Sequence, residues 1–367
     1  MKTKENSLDT ARKKINEIDA EMAKLFVERM NAAKIIAEYK SERGLGIYDA
    51  AREEEIIRRN STLVEDEDLR EYYVSFLKNN MAVSRSYQSR IMSGLKIAYS
   101  GTEGAFAHIA ASKLYPNSEK IAFPDFKSAY RAVENGECDL CVLPVENSYN
   151  GEVGQVTDLM FSGTLYVNRI LDLAVTHDLL CLKNADQSKI KKIISHPQAL
   201  AQCAKYIQKH GYEEQEFSNT ALAAKYVSEL GDPTVAAIAS REAAELFGLD
   251  VADHDINTSR GNTTRFAVFS RTANKKAIKE IGTHSILLFT VRNEAGALAR
   301  AIDVIGNHGF NMRTLRSRPM KELLWEYYFY VEAEGDVQTD SGVSMMEELS
   351  EYCDKLKFAG TYIRNQV

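Results

Sequence analysis

The chain has 367 residues, 44% hydrophobic and 27% charged, an ordinary composition for a soluble protein and length enough for two or three domains. Its net charge of -6, its pI near 5.8 and its scattered Lys and Arg residues argue against a nucleic-acid surface. The first residues lack the apolar core of a signal peptide and no run approaches the roughly 18 apolar residues of a membrane span, so a cytoplasmic protein without membrane contact is expected.

The first segment reads as helix. From about Ser7 to Glu42 there is no Pro or Gly, and Ile15, Ile18, Met22, Leu25, Ala32 and Ile36 recur at helical spacing. Such a helix spans roughly 50 Å, more than a small domain, so its apolar stripe is expected to pack on a second chain as well as its own. Arg29 falls on the stripe, and Lys40 lies eleven residues on, facing the same volume; Arg12 points elsewhere, toward a neighbouring site across a dimer. A second helix starts at Asp49, with Arg52 and Glu53 in its first turn and Ile56 and Ile57 on its buried side. A third runs from about Leu69 to Ile91, burying Tyr73 and Leu77 and continuing that line as Ser84 and Gln88. These polar groups suit one pocket for a small molecule with two carboxylates and an ether or hydroxyl; an internal salt-bridge network is the alternative.

Residues 8–92 resemble the all-helical chorismate mutase family, whose pattern is matched at Arg12, Arg29, Lys40, Asp49, Arg52, Glu53, Ser84 and Gln88. The resemblance implies an intertwined three-helix dimer in which Arg12 of the partner chain and Arg29 hold two carboxylates. Lys40 and Gln88 would donate to the ether oxygen as its C–O bond breaks, and Asp49, Glu53 and Ser84 would hold the hydroxyl and ring. The rearrangement is pericyclic, so the protein supplies shape and charge rather than a nucleophile.

Past Gly94 short apolar strands alternate with helical stretches: Lys96 to Tyr99, Lys120 to Phe123, Leu140 to Val145, Lys192 to Ser195 and Thr234 to Ala239. Polar clusters sit at strand ends, where open parallel sheets bind ligands: Gly101-Thr102-Glu103-Gly104, Pro144-Val145-Glu146-Asn147-Ser148 and Ser195-His196-Pro197-Gln198. A fourth, Asn262-Thr263-Thr264-Arg265-Phe266, sets a hydroxyl that can donate a proton beside a guanidinium that suits a carboxylate; alone it reads better as the start of a strand. Of the five cysteines, Cys138 and Cys141 form a C-x-x-C that runs straight into an apolar stretch, with neither a second pair nor a nearby His, and read as buried strand thiols.

The stretch from about Leu95 to Arg271 resembles prephenate dehydratase through these four clusters, the third extending to Gln202 and Cys203. The resemblance implies a two-lobed α/β fold like a periplasmic binding protein, with prephenate in the cleft and Thr264 as proton donor to the departing hydroxyl. Glu146, Asn147, Ser148, Ser195, His196, Gln198, Gln202, Thr263 and Arg265 are the expected prephenate-binding set. Arg265 would be a carboxylate clamp or a structural one, and His196 a helix cap.

After a charged linker, Asn274 to Gly282, the order strand (Ser285 to Val291), helix (Ala295 to His308), strand (Asn311 to Ser317), strand (Leu323 to Glu332), helix (Val343 to Leu356), strand (Phe358 to Ile363) is ferredoxin-like. It resembles the ACT regulatory domain, with Gly296, Ala297, Leu298, Asn311, Ser317 and Arg318 at positions that imply a phenylalanine site. Arg316 and Ala295 depart from the family's Glu and Pro, which implies weak or absent inhibition by phenylalanine; a purely structural dimerisation module is the alternative.

The expected organisation is a mutase domain over 1–92, a dehydratase domain over 93–273 and an ACT domain over 283–367, in a homodimer or higher homo-oligomer that needs no metal or organic cofactor. The implied function is conversion of chorismate through prephenate to phenylpyruvate. A monofunctional dehydratase with a decayed mutase domain and a non-catalytic sensor of aromatic metabolites are the alternatives.

Overall fold

The computed structural model describes residues 2–259, 261–274, 282–320 and 326–363, and the chain divides into a helical unit, Met1–Leu95, and a larger unit, Lys96–Val367. In the helical unit, α1 (Lys2–Glu42) is uninterrupted for 41 residues, or about 60 Å at 1.5 Å per residue. Gly44, at φ +62°, takes the left-handed conformation that ends it. Helix α2 (Ala50–Ser61) starts where Asp49 accepts a hydrogen bond from Arg52 N, and α3 (Glu67–Ser93) is capped in the same way by Asp66.

The face of α1 that packs within its own chain differs from the expected stripe. Ala33 and Ala37 are buried, with Arg29, Met30 and Lys40 half-buried around them, whereas Ala32 is exposed. Two alanines one turn apart let α3 approach closely, so small side chains rather than large ones mark the contact. The large residues stay open: Ile15 is 56% exposed, Leu25 56% and Ile36 49%. On α3 the buried stripe is Leu77, Met81, Ser84 and Gln88, an i, i+4, i+7, i+11 series that carries two polar residues where apolar ones would be the default.

The larger unit contains three sheets. In the first, β1 (Lys96–Ser100), β2 (Glu119–Phe123) and β3 (Leu140–Asn147) are parallel, β11 (Thr263–Ser270) pairs antiparallel with both β3 and β5 (Tyr166–Ala174), and the two-residue β4 (Gly151–Glu152) hangs on β3. Helices α4 (Phe106–Leu114), α5 (Phe126–Glu134) and α6 (Gly154–Ser162) cover it. The second sheet has the order β10-β6-β9-β7-β8, built from β6 (Asp178–Cys181), β7 (Lys192–Ser195), β8 (Glu213–Glu216), β9 (Val235–Ala239) and β10 (Asp250–Asp253). Its helices are α7 (Pro197–Gln202), α8 (Ala204–His210), α9 (Thr220–Leu230) and α10 (Arg241–Phe247).

The chain leaves the first lobe after β5 and returns only at β11, so two crossing strands join the lobes and a cleft lies between them. Besides β4 and the longer β5, three short strands escaped the sequence pattern for identifiable reasons. β8 is Glu-Glu-Gln-Glu and wholly exposed, β10 is half charged, and β6 is a four-residue run that follows β5 within a few residues. Cys138 and Cys141 are buried thiols beside and within β3, and burial pushes Cys138 up to about 11.

The third sheet, ordered β13-β14-β12-β15, consists of β12 (Thr283–Thr290), β13 (Asn311–Pro319), β14 (Tyr327–Glu334) and β15 (Lys355–Ile363), with α11 (Ala297–Asn307) and α12 (Asp340–Tyr352) inserted in βαββαβ order. The expected linker falls mainly on 275–281 and the expected start of β14 on 321–325, outside the described residues. Leu287, Phe289 and Val331 face the two helices. Ile286, Leu288, Tyr328, Tyr330 and Tyr362 instead join a core with Leu143, Val167 and Phe269 of the first lobe. The approach is close enough that a Cβ on Gly360 would lie 2.1 Å from the Val167 carbonyl oxygen, which restricts that position to glycine. No described helix is long and apolar enough to cross a membrane.

Candidate active sites

In the helical unit, Ser84 and Gln88 are buried, 7% and 8% exposed, one turn apart on α3. The Gln88 Oε1 atom is sealed from solvent and has no hydrogen-bond partner among the described residues, an arrangement more costly than a leucine would be unless a ligand completes it. Arg29 reaches the Asn80 carbonyl at 3.4 Å, and burial lowers its pKa. Lys40 Nζ donates to Ile47 O at 2.6 Å. Glu53 is paired with Arg85, whose guanidinium also lies 5.5 Å from the Tyr48 ring.

Two expected members stand apart. Arg52 is exposed and tied to Glu55 at 2.6 Å, because the first turn of α2 places it on the solvent side. Arg12 is exposed on α1 and faces Asp9 at 3.9 Å. Asp49 spends one carboxylate oxygen on the N-terminus of α2. Sequence reasoning missed Arg85; the signal was a cation one residue after Ser84 with an unmatched Glu53 on the neighbouring helix.

The interlobe cleft has a volume of about 240 Å³ and is lined by Phe106, Asn147, His177, His196, Gln198, Gln202, Asn219, Thr220, Asn262 and Thr264, among others. A second recess of about 330 Å³, lined partly by Tyr149, Asn150 and Thr258, shares Gln198, Gln202 and Asn262 with it. Thr264 is held by Asn147, whose Nδ2 donates to Thr264 Oγ1 at 2.9 Å and to Asn262 Oδ1 at 2.8 Å. The Asn147 Oδ1 atom accepts from the backbone N–H groups of Tyr149 and Asn150, both at 3.0 Å. Since those donors are unambiguous, the amide cannot be the other way round, and Thr264 Oγ accepts from Asn147 while its own hydrogen is left to turn into the cleft.

Three helix N-termini also meet the cleft: α4 at Ala105 and Phe106, α7 at His196 and α9 at Asn219 and Thr220. His196 Nδ1 accepts from Gln198 N at 3.2 Å, the capping role expected of it, and Asn219 caps α9. Ala105 offers α4 no side-chain cap, so first-turn N–H groups there are available to a ligand. Among the described residues the lining includes no Lys or Arg, and its amides, hydroxyl and helix ends can meet an anion.

Five members of the expected prephenate set, Ser148, Ser195, Thr263, Arg265 and Glu146, are absent from the cleft lining. Ser195 is fully buried and donates to Ile238 O at 2.6 Å, because β7 turns its side chain into the second lobe's core. Ser148 bridges to Gly261 O and receives Thr263 N, strapping the ends of β3 and β11, and Thr263 does not line the cleft. Alternation along β11 turns Arg265 away from Thr264 and toward the third sheet. There it binds Glu332 at 3.2 and 3.3 Å, Tyr362 at 2.8 Å, Glu146 at 3.3 Å and Asp172 at 3.5 Å. Burial opposes its charge, but Tyr362 and Glu332 outweigh that and raise its pKa. Glu146 also pairs with Arg316 of β13.

His177, Asn219 and Thr220 were not foreseen. His177 follows β5 at the crossing between lobes, and with that strand unrecognised the run Thr176-His177-Asp178 carried no signal.

In the third sheet, Gly296 starts α11 without a side-chain cap, Ala297 is buried and Ser317 exposed. Asn311 donates to Glu334 at 2.8 Å. Arg318, expected as an effector ligand, pairs with Asp158 at 3.1 Å and Glu152 at 3.5 Å of the first lobe, and a Cβ on Gly154 would collide with it.

Two family profiles match the chain, chorismate mutase type II over residues 11–89 and prephenate dehydratase over residues 97–274. A bifunctional chorismate mutase/prephenate dehydratase of Neisseria gonorrhoeae is 34% identical, over 96% of this chain and 95% of its own. Among solved structures, a prephenate dehydratase from Arthrobacter aurescens in complex with L-Phe superposes with a TM-score of 0.67 at 26% identity, covering 74% of this chain and 90% of that one. GqqA, described as a novel type of quorum quenching acylase, superposes with a TM-score of 0.68 at 29% identity, covering 74% of this chain and 98% of that one.

Proposed function

The chain belongs to the bifunctional chorismate mutase/prephenate dehydratase family, and we propose how its residues divide the two reactions of phenylalanine biosynthesis, chorismate to prephenate and prephenate to phenylpyruvate. In the helical unit, Arg29 and Arg12 of a second copy bind the two carboxylates of chorismate, and Lys40 and Gln88 donate to the ether oxygen as it gains charge. Burial of Gln88 on α3 supports this, since charge development at one oxygen rewards an amide NH2 group that its helix holds in the pocket. Glu53, positioned by Arg85, and Ser84 serve the hydroxyl side. Arg52 is left out of this assignment.

In the cleft, Thr264 is the proton donor and Asn147 its orienting partner. As the C–CO2 bond breaks, its electron pair enters the ring and the ring C–O bond breaks at the opposite end. The departing oxygen keeps that bond's pair, takes the Thr264 proton and leaves as water; the threonine regains a proton from solvent. Gain of aromaticity drives the step, so one oriented hydroxyl suffices. Prephenate carboxylates would be met by Gln198, Gln202 and the N-termini of α4 and α9.

The observation that carries the reading is the Asn147 to Thr264 hydrogen bond, which reserves the hydroxyl hydrogen for the cleft. Among the described residues no hydroxyl lining the cleft is hydrogen-bonded to an imidazole, the pairing that would activate an acylase nucleophile. The third sheet is proposed to be an ACT domain that takes phenylalanine near Gly296, Ala297 and Leu298, with weak inhibition because Arg316 and Arg318 are occupied by the first lobe. The test is to supply chorismate and follow prephenate and phenylpyruvate separately, with and without phenylalanine. Successive appearance of both products is expected; appearance of prephenate alone would refute the dehydratase assignment.

A further inference from the structure

The amide orientations around Thr264 continue beyond it. Asn147 Nδ2 faces Asn262 Oδ1, so Asn262 Nδ2 must face Gln202, to whose Oε1 it donates at 3.1 Å. The same Oε1 lies 2.9 Å from His177 Nε2. An acceptor already fixed as the carboxamide oxygen requires a proton on that ring nitrogen. The tautomer is thus set by a chain that begins at two backbone N–H groups, those of Tyr149 and Asn150. His177 Nδ1 is sealed from solvent with no partner among the described residues, and the residue is 2% exposed. A proton there would be an N–H buried without an acceptor, which disfavours both the other tautomer and the imidazolium. The Phe106 ring, 5.9 Å away and edge-on, packs against the imidazole.

We propose that His177 is a positioning residue for the dehydratase reaction: its Nε2–H and Asn262 together hold the Gln202 oxygen inward, so that the Gln202 NH2 group faces the cleft as a donor to a carboxylate of the substrate. With either inward donor removed, the Gln202 carboxamide can turn over and present its oxygen to a dianion. The inference rests on the prephenate reading of the cleft, but the tautomer it requires does not.

Two measurements test it on the full-length protein. The first is the 15N spectrum of histidine-labelled enzyme without substrate, in which one histidine is expected as the neutral Nε2–H tautomer, assigned by its loss in His177→Gln; an Nδ1–H tautomer or an imidazolium at pH 7 would overturn the proposal. The second is turnover of supplied prephenate. In His177→Leu the KM is expected to rise about ten-fold, the worth of one neutral hydrogen bond, with kcat changed far less. His177→Gln, whose Nε2 can occupy the same place, should recover most of that loss. Equal damage in both variants, or a kcat loss at unchanged KM, contradicts the proposal. If His177→Leu does not fold, the tautomer decides. If wild-type enzyme does not turn over prephenate, the reading of the cleft fails while the tautomer still reports on His177.

Discussion

Replacing Arg265 by alanine separates two roles that the Thr264-Arg265 pair suggests. If the guanidinium were a substrate clamp, its loss would raise the KM for prephenate and leave stability alone. The structure assigns it to the junction between the first lobe and the third sheet, where it makes two hydrogen bonds to Glu332, one to Tyr362 and an ion pair with Glu146. Glu332 is 1% exposed, so the alanine variant leaves a buried carboxylate without its counter-charge, a change that costs about 3–5 kcal/mol. At roughly 2–4 °C per kcal/mol for a unit of this size, the transition of the Lys96–Val367 unit should fall by roughly 6–20 °C. Exchanging both partners, as Arg265→Met with Glu332→Met, should restore much of that, since neither charge is then stranded. Calorimetry reads the transition, and prephenate kinetics well below it should show a KM within about three-fold of wild type. An unchanged transition with a KM raised ten-fold or more would refute the structural assignment.

Gln88→Ala should lower mutase kcat by about 100-fold or more while dehydratase activity on supplied prephenate is kept, as measured by chorismate disappearance and phenylpyruvate formation. Burial, with Lys355 nearby, lowers Lys357 to about 8, below its unfolded value, so between pH 8 and 10 the unfolded chain binds more protons and stability should rise with pH. Urea unfolding across that range should show the rise in wild type and a flatter profile in Lys357→Met. The open face of α1, with Ile18 47% and Leu25 56% exposed, is expected to be covered by a second copy. Sedimentation should therefore give a dimer or larger assembly, and Ile18→Glu with Leu25→Glu should dissociate it and abolish mutase turnover; a wild-type monomer with full mutase activity would exclude a partner's Arg12.

Much of the architecture was legible because its signals are local. The absence of Pro and Gly from α1, the caps at Asp49 and His196, and the apolar runs of β1, β3 and β7 are properties of short stretches. What escaped depends on contacts remote in sequence. Ala33 and Ala37 look less like a buried face than Leu25 and Ile36 do, and only the close passage of α3 makes them one. Ser195 and Ser148 sit among residues that line the cleft, yet their strand positions commit their hydroxyls to backbone groups. Arg265 and Arg318 resemble anion ligands in isolation. Their partners, Glu332 and Asp158, lie 67 and 160 residues away, and no periodicity announces such pairs. Thr264 was identifiable by resemblance, but its orientation by Asn147 was visible only in the structure.

The central claim is that one chain carries two separate active sites in series, the second depending on the Thr264 hydroxyl. It is tested most directly by giving chorismate to Thr264→Ala and following both products. Prephenate should accumulate at the wild-type mutase rate while phenylpyruvate formation falls by about 100-fold or more. Phenylpyruvate formed at the wild-type rate would contradict the role of Thr264, and loss of prephenate formation as well would contradict the separation of the sites.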